Sequence, residues 1–392
     1  MKSDFLKYQA QTTPHPLGIE ISKAKGSYVY DSNNKAYLDF IAGVSANSLG
    51  HGHPKVIHAI NTQVERYMHV MVYGEFVQEP ALQLAKKLIE LLPNNFETVY
   101  FTNSGTEATE GALKLAKRFT GRHQIIAAKY AYHGNTQGAM SVCGAEEQNR
   151  AYRPLIPGVS FIDFNDLSQL NKITTETAGV ILETIQGGAG FIEPQNNYLE
   201  KVAQRCKEVG ALLILDEIQT GIGRTGTFFG FENYNCTPDI VITGKGLGGG
   251  MPIGAFISSY DIMASLKQFP KLGHITTFGG HPVIAAAGLA TVNTIVDSNL
   301  MQETLEKELL IKSLLKHPEI KEIRGKGLML AAIVDSSDKA SAIILKCLEK
   351  GLLLFWLLFE SSAIRITPPL TISSDEIKKG CEILLEAIDE IC

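Results

Sequence analysis

The stretch LLILDEIQTG (212–221), with ITGKGLGGGMPIG (242–254) shortly after it, decides the architecture of this chain. The first is an unbroken aliphatic run that stops abruptly at two carboxylates; the second completes another such run, DIVITG (239–244), and stops at a lysine among glycines. Strands buried on both faces read this way where they give out into loops. Working outward, TVYFT (98–102), QIIAAK (124–129), GVILE (179–183) and ALLILD (211–216) have the same character. From about residue 76 to 290 such runs alternate with helical stretches, which predicts an α/β fold with a mostly parallel central sheet. ATEGALKLAKRFTG (108–121) puts Ala108, Ala112, Leu115, Ala116 and Phe119 on one helical face and closes on glycine, and YLEKVAQRCKEVG (198–210) repeats the arrangement.

The ends differ. GSYVYDSNNKAYLDF (26–40) reads as strand, turn and strand, with the turn at 31–34. After about residue 291 a long helix is expected, then strands and helices around 323–334 and 363–372. Residues 1–60 and 291–392 are expected to combine as a smaller α+β domain beside a large domain, 61–290.

With 36 basic and 41 acidic residues, the net charge of −5 carries no basic stripe, so neither nucleic acid nor an anionic membrane is an expected partner. Cys143, Cys206, Cys236, Cys347, Cys381 and Cys392 are scattered without paired spacing, which fits a reducing, cytoplasmic setting. The start, MKSDFLKYQAQTTPHP, lacks the apolar centre of a signal peptide, and GLLLFWLLF (351–359) is too short to span a bilayer.

The chemistry begins with Asp216 and Lys245, one at the end of each of two strands predicted to be neighbours. A lysine that condenses with an aldehyde, and a carboxylate that keeps a pyridine nitrogen protonated, are the requirements of pyridoxal phosphate. Glu217 comes directly after Asp216 and must point to the opposite face, so only one of them can meet a cofactor. Asp216 is assigned to the ring nitrogen and Gln219 to the phenolic oxygen. Ser104, Gly105 and Thr106, between strand and helix, offer backbone N–H groups and a helix dipole to a phosphate. A capping box, Ser104 to Glu107, would explain the same residues more simply, but Lys245 downstream favours the phosphate. Tyr132, just past a strand, can stack on a flat ring, although a structural tyrosine is the simpler alternative.

Two patterns mislead. Gly221, Gly223 and Gly226 match a dinucleotide-binding spacing, yet TFFGFENY comes next instead of a helix. His51 and His53 have metal-like spacing without companion ligands, and a turn with hydrogen-bonded histidines accounts for them; no metal is expected.

YLDFIAGVSANSLGHGHP, NSGTEATEGALKLAKR, YHG, ILETIQGGAGF, LLILDEIQTGIGRTG, GKGLGGGMPIGA, TTFGGHPV and IRITPPLTI, in this order over nearly the whole chain, resemble the class III pyridoxal-phosphate aminotransferases. The resemblance implies a fold-type I transferase that is a homodimer with shared active sites. It implies that Lys245 is the Schiff-base lysine, with Asp216, Gln219, Tyr132, His133, Ser104, Gly105 and Thr106 around the cofactor. Thr277 reaches the phosphate in the neighbouring subunit. Arg365 grips the substrate carboxylate, a role that suits its bidentate fork. Glu183, Glu75 and Asn135 complete the substrate set; Glu75 could pair with a second ammonium group, and Tyr73, Phe76 and Trp356 are expected nearby, the Trp356 segment being more often core.

The implied reaction moves an amino group from a small-molecule donor, an ω-amine or amino acid, to a 2-oxo acid such as 2-oxoglutarate, with Lys245 carrying the proton. A decarboxylase or aminomutase of the same fold is the alternative, and a nicotinamide oxidoreductase a more distant one. Two positions depart from ornithine-type members. Gly188 stands where they carry a glutamate that masks the arginine, and Asn135 where many carry a second arginine. Arg365 is therefore expected to stay open to α-amino acids as well as ω-amines. Gly188→Glu is expected to weaken use of glutamate more than use of an ω-amine, measured as kcat/KM for each donor; equal loss would refute the masking argument.

Overall fold

The computed structural model describes residues 1–72 and 74–391; Tyr73 and Cys392 lie outside the described residues. The first strands, β1 (Ile21–Lys25), β2 (Tyr28–Asp31) and β3 (Ala36–Asp39), form an antiparallel meander. Asp31 makes its turn: the carboxylate accepts from the N–H groups of Asn33 and Lys35, and Asn34 takes a left-handed φ of 65°.

The central sheet holds β4 (Thr98–Thr102), β5 (Gln124–Ala128), β6 (Val159–Ile162), β7 (Thr177–Glu183), β8 (Leu212–Asp216), β9 (Ile240–Gly244) and β10 (Gly254–Ser258), in the order β4-β10-β9-β8-β7-β5-β6. From β6 to β9 neighbours are parallel; β10 runs antiparallel to both β9 and β4. Alternate residues of β8 enter different cores. Leu213 and Leu215 pack with Leu199 and Val202 of the helix Tyr198–Val209, while Leu212 and Ile214 pack with Ala112, Leu115 and Ala116 of the helix Gly105–Thr120. Each fully buried aliphatic side chain contributes roughly 1.5–3 kcal/mol, which explains why the strand is aliphatic up to its last residue, Asp216. Phe119 departs from the expected helical face. It lies in the last turn, beside Gln204 and Lys207 at the rim of a depression, and is exposed.

Beyond the sheet, the expected long helix is two helices, Pro282–Val296 and Leu300–Leu314, so residue 290 falls inside the first. The chain then forms β11 (Glu322–Lys326), β12 (Met329–Ile333), β13 (Leu352–Leu353), β14 (Phe355–Trp356) and β15 (Ala363–Ile366). Four of these make a sheet ordered β11-β12-β15-β14, whereas β13 pairs with β3, Leu352 against Leu38. The apolar stretch 351–359 is thus divided between two sheets, of which the one containing β3 and β13 joins the chain's ends. Among the described residues no single helix is long and apolar enough to cross a membrane. The five described cysteines are buried and unpaired.

At the end of β8, Glu217 turns away from Asp216 into the interior. Its carboxylate accepts from Thr184, from Thr220 Oγ1 at 2.8 Å, and from the N–H groups of Gly230 and Phe231 at 2.6 and 2.8 Å. Burial nonetheless pushes the carboxyl up to about 7. Truncation by Glu217→Ala leaves four buried donors without an acceptor and is expected to cost on the order of 3 kcal/mol or more, read as a lower urea midpoint. A midpoint within error of the parent would remove Glu217 from this role.

Candidate active site

Ends of β5, β7, β8 and β9 and the strand β15 surround a cavity of about 570 Å³. Gly105, Thr106, Tyr132, His133, Asn135, Glu183, Asp216, Gln219, Lys245 and Arg365 all line it. The carboxyl ends of parallel strands are where an α/β sheet leaves room for ligands.

Asp216 Oδ2 lies 2.8 Å from His133 Nδ1, and Oδ1 accepts from the Ile218 N–H at 2.9 Å. His133 is itself fixed, since its N–H donates to Cys143 Sγ and its carbonyl accepts from Thr109 Oγ1. Its Nε2 is buried without a partner. Register sets Glu183 opposite Asp216 on the adjoining strand. Glu183 accepts from the N–H groups of Tyr132 (3.1 Å) and Gly187 (2.9 Å), but burial, reinforced by Asp216 and opposed by His133, raises its carboxyl to about 7.

Lys245 closes β9 with a left-handed φ of 42°, between glycines that admit close neighbours. A Cβ on Gly246 would sit 2.4 Å from Ser48 Oγ, and Gly244 faces the backbone of Gly105. Burial draws the lysine amine below its ordinary range; Asp216 opposes this and Arg365 adds to it. Arg365 is 6% exposed, with Nε and Nη1 unpartnered, and burial brings its guanidinium down to about 10. Its cation lies 6.0 Å from the centre of the Phe191 ring.

Ser104 caps the helix Gly105–Thr120: its Oγ accepts from the Glu107 N–H, so its side chain faces the helix. Glu107 reaches back to the N–H of Asn103, one residue earlier than a capping box requires. The N–H groups of Gly105 and Thr106 have no intrahelical acceptor and open beside the cavity. Gly105 and Gly134 keep that end clear; a Cβ on Gly134 would meet Thr106 Oγ1 at 2.2 Å.

Thr277 and Glu75 do not line this cavity. Glu75 borders a separate depression with Tyr100 and Tyr260. Phe76 is exposed away from the site, and Tyr73 lies outside the described residues. Trp356, by contrast, does line the cavity, with Phe355, Leu357 and Leu358. Gly188 lines the cavity as well. A Cβ there would lie 2.8 Å from Cδ2 and Cε2 of Phe359, so Gly188→Glu displaces an aromatic ring and cannot read charge alone. The glycine spacing at 221–226 serves packing: a Cβ on Gly226 would be 2.3 Å from Leu305, and the next helical element is only the short 3₁₀ turn Gly230–Asn233. His51 pairs with Asp39 at 2.8 Å, whereas His53 Nδ1 is buried without a partner. Val44 is a cavity residue without a sequence signal. It sits in a turn, Ala42–Ser45, whose four residues all have positive φ.

The donor set fits pyridoxal phosphate: an open helix N-terminus for the phosphate, a buried carboxylate for the ring nitrogen, and a lysine amine with depressed basicity in the same cavity. Fold and site together define a pyridoxal-phosphate-dependent transferase. The family described as Aminotransferase class-III matches residues 8–388, and the chain belongs to that family. It is 40% identical over 387 residues to the acetylornithine aminotransferase of Caldanaerobacter subterraneus subsp. tengcongensis, covering 95% of each protein. It is 38% identical to the putrescine aminotransferase of Pectobacterium atrosepticum, covering 98% of this chain and 85% of that one. The crystal structure of the ornithine aminotransferase from Toxoplasma gondii superposes with a TM-score of 0.92 at 30% identity, over 99% of this chain and 94% of that one.

The raised Glu183 carboxyl has a definite sign in stability. Between the ordinary value of 4.5 and about 7 the folded state binds a proton that the unfolded state releases. Its contribution is therefore full below pH 4.5 and is lost as pH rises through about 7. Compared with Glu183→Gln, the parent is expected to lose on the order of 3 kcal/mol across this window and to hold a constant difference above it, read from urea midpoints. A pH-independent difference would show that Glu183 ionises normally.

Proposed function

We propose that this transaminase moves an amino group from an ω-amine or an α-amino acid to a 2-oxo acid, with Lys245 and Asp216 as its catalytic residues. The observation that carries the reading is the unpartnered, buried Arg365 guanidinium in the same cavity as the Lys245 amine. When bound, pyridoxal phosphate supplies an aldehyde that links to amines and a ring that withdraws electrons.

Each residue has a physical task. Gly105 and Thr106 hold the phosphate through their N–H groups, and Ser104 sets the start of that helix. Asp216, held by His133, places negative charge against the ring nitrogen; Gln219 serves the phenolic oxygen and Tyr132 covers the ring face. Lys245 Nζ, neutral more readily because of burial, takes a proton from the substrate carbon and returns it. Arg365 orients the substrate through its carboxylate, and Glu183 fixes the loops at Tyr132 and Gly187 around it.

The working form is proposed as a cytoplasmic homodimer, with Thr277 and Glu75 serving the neighbouring subunit's site. Exposed apolar side chains support this, among them Met68, Met71, Phe76, Val77, Phe269 and Phe278. Residues 1–60 and 291–392 are proposed as the small domain and 61–290 as the large one, in keeping with the pairing of β13 with β3.

With pyridoxal phosphate added, the purified protein is expected to show a visible absorption band that changes on addition of a usable donor. Lys245→Ala should abolish that change within catalytic time. Arg365→Ala should raise KM for the 2-oxo acid about 10- to 100-fold, the worth of a charged hydrogen-bonded pair. A parent protein without a band removes the Lys245 assignment, and an unchanged KM removes that of Arg365.

A further inference from the structure

We propose that Thr109 and Cys143 are positioning residues for the cofactor: they hold the two backbone groups of His133, and so set the spacing between the phosphate end of the site and the carboxylate of Asp216. The proposal rests on the roles given above to Gly105, Thr106 and Asp216, and it names the interior contacts that keep those residues in register.

The ring of His133 meets Asp216 through Nδ1 at 2.8 Å, while Nε2 is buried without a partner. Its orientation therefore depends on its backbone, and a side chain takes each backbone group there. The carbonyl accepts from Thr109 Oγ1 at 2.9 Å, and the N–H donates to Cys143 Sγ at 3.1 Å. Thr109 is fully buried and Cys143 4% exposed, so both contacts lie inside one subunit and a neighbouring chain adds nothing to them. The thiol keeps its proton: burial pushes it up to about 12, opposed by the His133 N–H and reinforced by Glu183 and Asp216. It can therefore accept from His133 and at the same time donate to the Ala139 carbonyl at 3.3 Å.

Thr109 stands one turn into the helix Gly105–Thr120, whose first N–H groups face the phosphate position, and its hydroxyl also has the Gly105 carbonyl within 3.2 Å. Residues on the same face of that helix, at the i, i+3 and i+4 spacing, fasten the rest of the loop. Thr106 Oγ1 accepts from the Thr136 N–H at 3.2 Å and lies 2.9 Å from its hydroxyl. Glu110 Oε1 accepts from the N–H groups of Gly138 and Ala139 at 2.8 and 3.2 Å. One helix thus carries the phosphate donors at its start and, through Thr109, the residue that holds Asp216. Pyridoxal phosphate has to engage both ends at once, so a shift of one end against the other weakens its binding, whereas an ion that fills one end does not feel it.

The test titrates the full chain, freed of cofactor, with pyridoxal phosphate, follows the visible band, and uses inorganic phosphate as a competitor. Thr109→Val, close in shape but without the hydroxyl, and Cys143→Ala should each raise Kd for pyridoxal phosphate about 2- to 10-fold, the worth of one hydrogen bond. Competition by inorganic phosphate, which fills one end only, should be unchanged. Thr109→Ser and Cys143→Ser restore the hydrogen bonds and should return Kd towards the parent value. If Thr109→Val does not fold, Cys143→Ala decides by itself. A Kd unmoved in the folded variants, a rise that serine does not reverse, or an equal loss of phosphate competition overturns the proposal while leaving the aminotransferase reading intact. A parent protein that forms no band with pyridoxal phosphate overturns both.

Discussion

Two carboxylates have to be buried side by side at the end of β8, and the way each is held determines the arrangement of the cavity. The alternation of a strand sends Asp216 and Glu217 to opposite faces. Glu217 collects four donors from Thr184, Thr220 and the turn at Gly230 and Phe231, which fastens the end of β7 and the loop after β8 to one point. Asp216 is thereby directed into the cavity, where His133 meets it from the loop after β5. Three parallel strand ends are thus tied by two adjacent side chains. Register places Glu183 opposite Asp216 at the same end of the sheet, so burial and the neighbouring carboxylate together favour its protonated form.

That space is bounded by backbone held in unfavourable conformations. Lys245 is left-handed at φ 42°, and Ala42, Gly43, Val44 and Ser45 make a left-handed turn, a geometry that costs roughly 1–2 kcal/mol for each residue with a side chain. Local bonds hold it. Asp39 Oδ1 accepts from the N–H groups of Ile41 and Ala42, His51 steadies the same carboxylate, and Thr367 Oγ1 donates to the Ile41 carbonyl. The last of these joins the N-terminal turn to the segment just after Arg365. Val44 and Arg365 are accordingly set against each other by one short network.

Much of this was legible because the features are local. Unbroken aliphatic runs mark strands with two buried faces, the glycines at 121 and 210 end their helices with left-handed φ, and the opposed directions of Asp216 and Glu217 come from strand geometry alone. The illegible parts depend on distant partners. GAFIS, preceded by glycines, becomes β10 because it pairs antiparallel with both β4 and β9, and its first residue has no room for a side chain: a Cβ on Gly254 would be 2.1 Å from the Ser104 carbonyl oxygen. VSFI at the sheet edge is half exposed and lacks the aliphatic density of the inner strands. The stretch 351–359 reads as a single core run, but its pieces pair with β3 on one side and β15 on the other. Gly188 reads as a missing charge, although Phe359 already fills the space its side chain would need.

The two buried arginines show why charge at this site has to be read together with space. Arg224 and Arg365 both have unpartnered nitrogens, and burial lowers both, to about 9 and about 10. Arg224 donates through Nη1 to the carbonyls of Leu328 and Pro368, and it is absent from the lining of the cavity. Its work is to fasten the loop after Asp216 to the segments that flank β12 and β15. Arg365 is not fastened in that way, since its Nε and Nη1 meet no acceptor, and it opens into the cavity that contains Lys245. One cation ties the loop to the strand; the other, placed on that strand, faces the cavity with Nε and Nη1 unpartnered.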